Sequence, residues 1–304
     1  MEKLVSICLL SYNHERFIEY CIESIWNQEY KNIEILVLDD GSKDNSVTLL
    51  NKLKEKSPCK MQVFSQENSG CIGGNFNKLI KQAKGEYISF IACDDALFKD
   101  AISKKIEIME KDKKIQFVIN SQIQWINNDN KYYPTVQKMN LDKIENPTAK
   151  DILYFEFNEL HSYFIQGCLY KKSIIDKVEG FDEDMISDDM VLRTKLSNYL
   201  VEHQELNFVT LHEPACLYRR HETNISSNSA WQAKSIFLFL TKYMPNKNNK
   251  IYQKAYKRLL NVCEYKMFFD EFKKRKELKK YIPLLPFWLI EAGYKYVIKK
   301  LKRK

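Results

Sequence analysis

Residues 33–42 read Ile33-Glu34-Ile35-Leu36-Val37-Leu38-Asp39-Asp40-Gly41-Ser42, a run broken only by Glu34 that stops on two carboxylates and a turn. Apolar residues at consecutive positions mark a strand covered on both faces, and Asp-Gly-Ser is turn chemistry. Residues 46–56 follow with apolar side chains at helical spacing, so the stretch predicts strand, turn, helix. The same unit precedes it. Residues 5–10 form an apolar strand candidate, and residues 13–27 carry Phe17, Ile18, Cys21, Ile22, Ile25 and Trp26 at helical spacing. It recurs downstream as a strand at 61–65, a helix at 75–83 and a fourth strand at 87–92. The order βαβαβαβ predicts an α/β, Rossmann-like fold: a mostly parallel sheet with helices on both faces. Ligands of such sheets lie outside the carboxyl ends of the strands, where Ser11, Asp39, Asp40 and Asp94 fall.

Beyond residue 100 the spacing predicts a helix at 102–110, a strand at 117–125 and a polar surface loop at 127–146. Composition shifts near Asn228 to a basic, aromatic, helix-like tail. The expected organisation is therefore an α/β domain, residues 1–227, and a C-terminal helical extension, residues 228–304.

A chain of 304 residues, 44% hydrophobic and 29% charged, is long enough for one large core with an appendage. Residues 1–3 lead directly into the first strand with no signal-peptide pattern, which predicts a cytoplasmic protein. The eight cysteines stand singly, with no CxxC pair and no zinc spacing, and read as reduced, mostly buried thiols. The net charge of +8 is unevenly placed: residues 231–304 carry 20 Lys+Arg against 5 Asp+Glu, leaving residues 1–230 at −7. A front of that sign argues against a nucleic-acid groove, and the basic rear suits an anionic surface.

The turn after the first strand, Leu10-Ser11-Tyr12-Asn13-His14-Glu15, has no glycine. A dinucleotide site needs glycines there so that the backbone can approach a pyrophosphate, so a nicotinamide or flavin site is disfavoured. A sugar nucleotidyltransferase should likewise show a glycine-rich, basic first turn. Asp39 and Asp40 are acceptor-only groups suited to a base N–H or to ribose hydroxyls, although either could also serve as a turn or cap residue. Asp94-Asp95 and Asp188-Asp189 each precede a predicted helix and admit the same capping reading, the second on a helix carrying Arg193. His14, His161, His203 and His212 read as structural or solvent-facing.

In combination, these segments resemble the family 2 glycosyltransferases, inverting enzymes with the GT-A fold. The resemblance rests on Ser11-Tyr12-Asn13, Asp39-Asp40-Gly41-Ser42, Asn68 and Gly70 of an Asn-x-Gly segment, Asp94-Asp95, Gly180-Phe181-Asp182 followed by Asp188-Asp189, and Tyr218-Arg219-Arg220-His221 with Asn224 and Ser226. It implies a nucleotide-sugar site formed by Ser11, Tyr12, Asn13, Asp39, Asp40, Asn68, Gly70, Asn75, Asp94 and Arg220, with Arg219 and His221 closing over the diphosphate. A divalent cation, Mn²⁺ or Mg²⁺, would be held by Asp94, Asp95 and His221. Inversion needs a base on the sugar face opposite the leaving diphosphate, and the resemblance points to Asp189, with Asp188 as the alternative. The implied donor is a UDP-sugar. The implied acceptor is a hydroxyl of a glycan in bacterial polysaccharide, oligosaccharide or glycoprotein assembly.

Two departures stand out. The common Asp-x-Asp-Asp motif begins here with Ala92, and Gly73-Gly74-Asn75 replaces an Ala-Arg-Asn segment, removing a cation. The first leaves open a catalytically degenerate, membrane-bound scaffold. Residues 281–304 interleave Phe287, Trp288, Tyr294 and Tyr296 with Lys295, Lys299, Lys300, Lys302, Arg303 and Lys304, and Pro286, Glu291 and Lys295 interrupt the apolar run too soon for a spanning helix. The pattern predicts a peripheral helix on an anionic membrane face, with an acceptor linked to a lipid such as a polyprenyl diphosphate. A packed helix hairpin or a homodimer contact is the alternative.

Overall fold

A computed structural model describes residues 2–185, 189–222, 224, 229–244 and 250–251. Contacts divide the chain into two units: Met1–Asp182 with Asp188–His221, and Glu183–Ser187 with Glu222–Lys304.

The first unit opens with β1 (Val5–Ser11), α1 (Ile18–Trp26), β2 (Ile33–Asp39), α2 (Ser46–Lys56), β3 (Lys60–Ser65), α3 (Ile72–Gln82) and β4 (Tyr87–Ala92). Side chains alternate across a strand, and that alternation builds two cores. Val5, Ile7 and Leu9 of β1 with Ile33, Ile35 and Val37 of β2 pack under α1 and α2, while Cys8, Leu36 and Leu38 face α3 on the other side. The unbroken apolar run of β2 thus reflects two covered faces. These strands are parallel in the order β3-β2-β1-β4.

The unit continues with β5 (Ala96–Leu97), α4 (Ser103–Lys111), β6 (Ile115–Ile126), β7 (Tyr132–Lys138), a 3₁₀ turn (Asn140–Lys143), α5 (Ala149–Asn158), β8 (Leu169–Lys171), α6 (Lys172–Lys177), α7 (Asp189–Glu202) and β9 (Asn207–Arg219). Beyond the parallel β3-β2-β1-β4 half the sheet becomes mixed. The three-residue β8 runs antiparallel between β4 and β6, β9 is parallel to β6, and β5 is antiparallel to β9.

Residues 127–146, expected as a loop, contain β7, which pairs antiparallel with β6. Its side chains are almost all exposed and Pro134 sits within it, so an edge strand covering no core lacked the apolar alternation that reveals strands. The first helix also starts later than expected, at Ile18. Asn13 adopts a left-handed φ of +56° and its backbone N–H donates to Ser42 Oγ at 2.8 Å, so residues 13–15 serve the neighbouring loop instead of a helix.

In the second unit, α8 (Ser229–Tyr243) carries Lys242, whose Nζ lies 2.8 Å from Asp184 Oδ1. Among the described residues no helix is long and apolar enough to cross a membrane. The membrane-docking segment expected at 281–304 lies outside the described residues. The seven described cysteines carry no disulfide.

One of the buried ions has a single hydrogen-bond acceptor among the described residues. Lys105 of α4 is 1% exposed, its Nζ donates to Ala101 O at 2.6 Å, and burial pushes its pKa down to about 8. The folded chain therefore binds that proton less tightly than the unfolded chain, so stability rises with pH between about 8 and the ordinary lysine value, and the full penalty is present below that window. Lys105→Met is predicted to stabilise the fold at pH 7 by about 1 to 3 kcal/mol, an advantage that shrinks by pH 10. Urea melts of both proteins at the two pH values check this; an unchanged or lower midpoint at pH 7 contradicts it.

Candidate active site

The loops after β1, β2 and β3 are tied together by two adjacent carboxylates. Asp39, fully buried, accepts from Ser11 Oγ at 2.9 Å and from the Ser42 backbone N–H at 2.8 Å, joining the end of β1 to the turn after β2. Asp40 faces the other way and accepts from Gln66 Nε2 at 2.6 Å, from Ser69 N–H at 2.9 Å and from Gly70 N–H at 3.2 Å. Burial works to raise its pKa, but the hydrogen bonds from Ser69, Gln66 and Gly70 outweigh burial and hold it below the usual carboxylate range. Asn75, at the start of α3, completes this side by accepting from Gln66 Nε2 at 2.8 Å and Ser69 Oγ at 3.1 Å. Asn13 Oδ1 accepts from Lys43 N–H at 2.7 Å. Gly41 has φ +81°, and a Cβ there would stand 2.6 Å from Asn68 N, so the close passage of the two loops requires glycine. Tyr12 is 43% exposed on this rim. Ser11, Tyr12, Asn13, Asp39, Asp40, Asn68, Gly70 and Asn75 are thus brought to one end of the sheet.

The turn after β4 presents Asp94. Its Oδ2 lies 3.0 Å from His221 Nε2 and 3.7 Å from His14 Nε2. Burial pushes its pKa up, and the neighbouring His14 and His221 outweigh this and hold it below the ordinary value. Burial lowers the pKa of His14, keeping that imidazole neutral near pH 7. The ring of Phe17 packs on His221 with centroids 4.8 Å apart.

Asp95 turns away from this pair. Its Oδ1 accepts the Arg219 backbone N–H at 2.9 Å and the residue is 2% exposed, so burial, then the charge of Asp94, push its pKa well up. Arg219 is also interior. Its guanidinium donates to Asp94 O at 2.7 Å, Asn127 O at 2.6 Å and Asn130 Oδ1 at 2.7 Å, and it lies over Phe17 at 4.7 Å. It shapes the Asp94 turn from behind. Arg220 projects to the surface with its guanidinium 3.8 Å from the Trp125 ring centroid.

Asp94 and His221 supply one carboxylate and one imidazole within reach of a common point. Among the described residues no group of three or more His, Cys, Asp or Glu converges to hold a metal ion. Mg²⁺ or Mn²⁺ commonly takes one or two carboxylates and completes its shell with substrate phosphates and water. The pair therefore fits a cation shared with a diphosphate and not one held by the chain alone.

Asp189 opens α7. Its Oδ1 accepts the Met190 N–H at 2.7 Å and its Oδ2 accepts Arg193 NH1 at 2.7 Å. Burial works to raise its pKa; Arg193 and His161 prevail and lower it. Asp188 lies outside the described residues. The segment leading toward α7 is moored to α3: Asn77 exchanges hydrogen bonds with Phe181 O at 2.8 Å and Phe181 N–H at 2.9 Å, and Gly73 leaves room where a Cβ would meet Phe181 Cβ at 2.9 Å.

Sequence reasoning read His14 as structural or solvent-facing, noted Arg193 only as part of the helix after Asp189, and did not single out Gln66 or Glu156. His14 carried a signal, since it directly follows Ser11-Tyr12-Asn13 at a strand's carboxyl end. Glu156 pairs with Arg193 across 37 residues, a separation that no local spacing reveals.

The model for Glycosyl transferase family 2 matches residues 6–179. Glycosyltransferase GlyG of Streptococcus pneumoniae is 28% identical over 233 residues, spanning 74% of this chain and 73% of GlyG. The dTDP-rhamnosyl transferase RfbG of Shigella flexneri is 26% identical over 291 residues, 92% of this chain and 93% of RfbG. The crystal structure of TarS 1–349 from S. aureus in complex with UDP-GlcNAc shares the fold with a TM-score of 0.61 at 17% identity, covering 88% of this chain and 72% of that one. A sheet with β3-β2-β1-β4 order, a carboxylate at the end of β4 and these relationships agree: the chain belongs to glycosyl transferase family 2 and has the GT-A fold.

Proposed function

We propose that the chain is an inverting, metal-dependent transferase that moves a hexose or N-acetylhexosamine from a UDP-sugar to a hydroxyl of a glycan acceptor. The observation that carries this reading is the Asp94–His221 pair, 3.0 Å apart, on the same sheet edge as the loops spliced by Asp39 and Asp40. The names of two relatives support a nucleoside-diphosphate donor: RfbG is a dTDP-rhamnosyl transferase, and TarS was crystallised with UDP-GlcNAc.

In this reading the nucleoside lies on the rim formed by Tyr12, Asn13, Asn68 and Asp40. Carboxylate oxygens accept more than one hydrogen bond, so Asp40 can take a donor from the base or ribose besides those it already holds. The diphosphate extends toward Asp94 and His221, which would hold Mn²⁺ or Mg²⁺ against it; a bound cation neutralises the charge that develops on the leaving diphosphate. Arg219 keeps the Asp94 turn in place and Arg220 offers a surface cation. The acceptor oxygen attacks the anomeric carbon from the face opposite the diphosphate, the carbon–oxygen bond to phosphate breaks, and the acceptor proton passes to Asp189. Asp188 is the alternative base.

The wider assignment has residues 1–227 as catalytic domain and residues 228–304 as an extension that docks on the anionic cytoplasmic face of a membrane, with a lipid-linked acceptor. The tail's balance of 20 basic to 5 acidic residues supports it. The rival is a scaffold without catalysis, favoured by Ala92 alone.

Thermal melts with UDP, GDP, dTDP and CMP, each with and without Mn²⁺, test the donor class. UDP with Mn²⁺ is predicted to raise the melting temperature, by about 2.7 kcal/mol of stabilisation at a hundredfold excess over Kd, and Asp94→Ala is predicted to lose that shift while staying folded. Folded wild-type protein that responds to no nucleotide would favour the scaffold. Gly41→Ala is predicted to destabilise by about 1 to 3 kcal/mol and to weaken UDP binding, because the Asn68 loop must move; a variant melting and binding like wild type contradicts the close packing.

A further inference from the structure

Behind Asp189 lies a buried ionic chain that the proposed reaction does not yet use. Arg193, one turn along α7, is wholly buried. Glu156 of α5, also wholly buried, grips one edge of its guanidinium, with Oε1 2.7 Å from Nε and Oε2 3.1 Å from NH2. Glu156 is itself fixed by the backbone N–H of Ser162 at 3.1 Å and by the Ser162 hydroxyl. The remaining nitrogen, NH1, donates to Tyr163 O at 2.5 Å and to Asp189 Oδ2 at 2.7 Å. The Tyr163 ring lies 5.5 Å from the guanidinium carbon.

A guanidinium clamped in a bidentate fork has little freedom to rotate, so the direction of its free edge is set by Glu156. Two carboxylates share one cation here. Arg193 and Glu156 are wholly buried while the Asp189 side chain keeps 28% of its surface exposed, so the buried pair presents its cation to a carboxylate that solvent reaches, and such networks are weak evidence of a purely stabilising role. Backbone geometry adds to this: Leu160 and His161, just before Ser162, both adopt left-handed φ values of +65° and +58°. Consecutive non-glycine residues of this kind are strained, and the strain lies in the segment that presents Ser162 and Tyr163 to the ion chain.

We infer that Arg193, braced by Glu156, is a positioning residue for the transfer reaction: it fixes the direction in which the Asp189 carboxylate meets the acceptor hydroxyl. This rests on the reading of Asp189 as the base. Among the described residues, the groups facing Asp189 are Arg193 and the Met190 N–H from its own helix and His161 from the loop before β8, with Glu156 of α5 acting through Arg193. Every one of these that is cationic or a donor favours the carboxylate, so Asp189 stays ionised and acts through direction more than through proton affinity.

The test uses the full chain and release of UDP from whichever of UDP-glucose, UDP-galactose and their N-acetyl counterparts the wild type hydrolyses fastest, with water as acceptor. Arg193→Met is predicted to lower kcat by about 10- to 100-fold with donor KM within about twofold, and to move the acid limb of the pH–kcat profile up by at least about one pH unit, because the cation is gone. Glu156→Gln is predicted to lower kcat at unchanged donor KM with the acid limb at or below that of the wild type, since Arg193 keeps its charge. A merely structural Arg193 would change melting temperature and leave the two profiles parallel. Folded, UDP-binding Arg193→Met with a wild-type-like profile overturns the inference. Should that variant fail to fold, Glu156→Gln decides: a fall in kcat supports the inference, and a change confined to melting temperature overturns it. Asp189→Asn separates the layers: inactivity with a parallel Arg193→Met profile sinks only the inference, and retained kcat sinks the base assignment with it.

Discussion

Asp39 and Asp40 are neighbours at the end of β2, and because side chains alternate along a strand they reach in opposite directions. One takes hydrogen bonds from Ser11 and Ser42, the other from Gln66, Ser69 and Gly70. Three loops from three parallel strands are thereby fixed to each other at the sheet's carboxyl edge. A buried carboxylate is tolerated only where donors surround it, so each loop must keep its shape for the others to keep theirs. Gly41 is the position where this becomes a steric requirement, since only a residue without Cβ passes Asn68 at that distance.

A second level of organisation uses cations inside the fold to hold functional groups from behind. Arg219 donates to the backbone oxygens of Asp94 and Asn127, and Arg193 grips Asp189 while Glu156 grips Arg193. Guanidinium groups suit this because their donors diverge in one plane and hold several partners at set angles. Lys105 shows the contrast: a buried ammonium with one carbonyl partner at 2.6 Å loses proton affinity and is predicted to cost stability.

The first half of the sheet was legible because burial on both faces leaves long apolar runs, and the loop cluster at its carboxyl edge was legible because polar residues end those runs at Ser11, Asp39 and Asp94. The second half was less so. A three-residue β8 and a two-residue β5 are too short for periodicity, and β7 covers no core, so Tyr132–Lys138 reads as loop. Motif reading also named residues without giving their directions. Asp95 and Arg219 were named as site residues, yet both side chains face inward, and the partner that Asp94 gains, His14, was read as structural or solvent-facing. The Glu156–Arg193–Asp189 chain joins two helices far apart in sequence, and only the packing of α5 on α7 makes it visible.

In the proposed reaction Asp94 and His221 would hold a divalent cation together with the donor's diphosphate, since among the described residues no group of three or more His, Cys, Asp or Glu converges to hold one. Electron paramagnetic resonance of free Mn²⁺, titrated with the protein in the absence and presence of UDP, measures that coupling directly. Weak binding of Mn²⁺ alone and at least about tenfold tighter binding with UDP are expected. Equal Mn²⁺ affinity with and without UDP, or no binding in either case, would contradict that coupling.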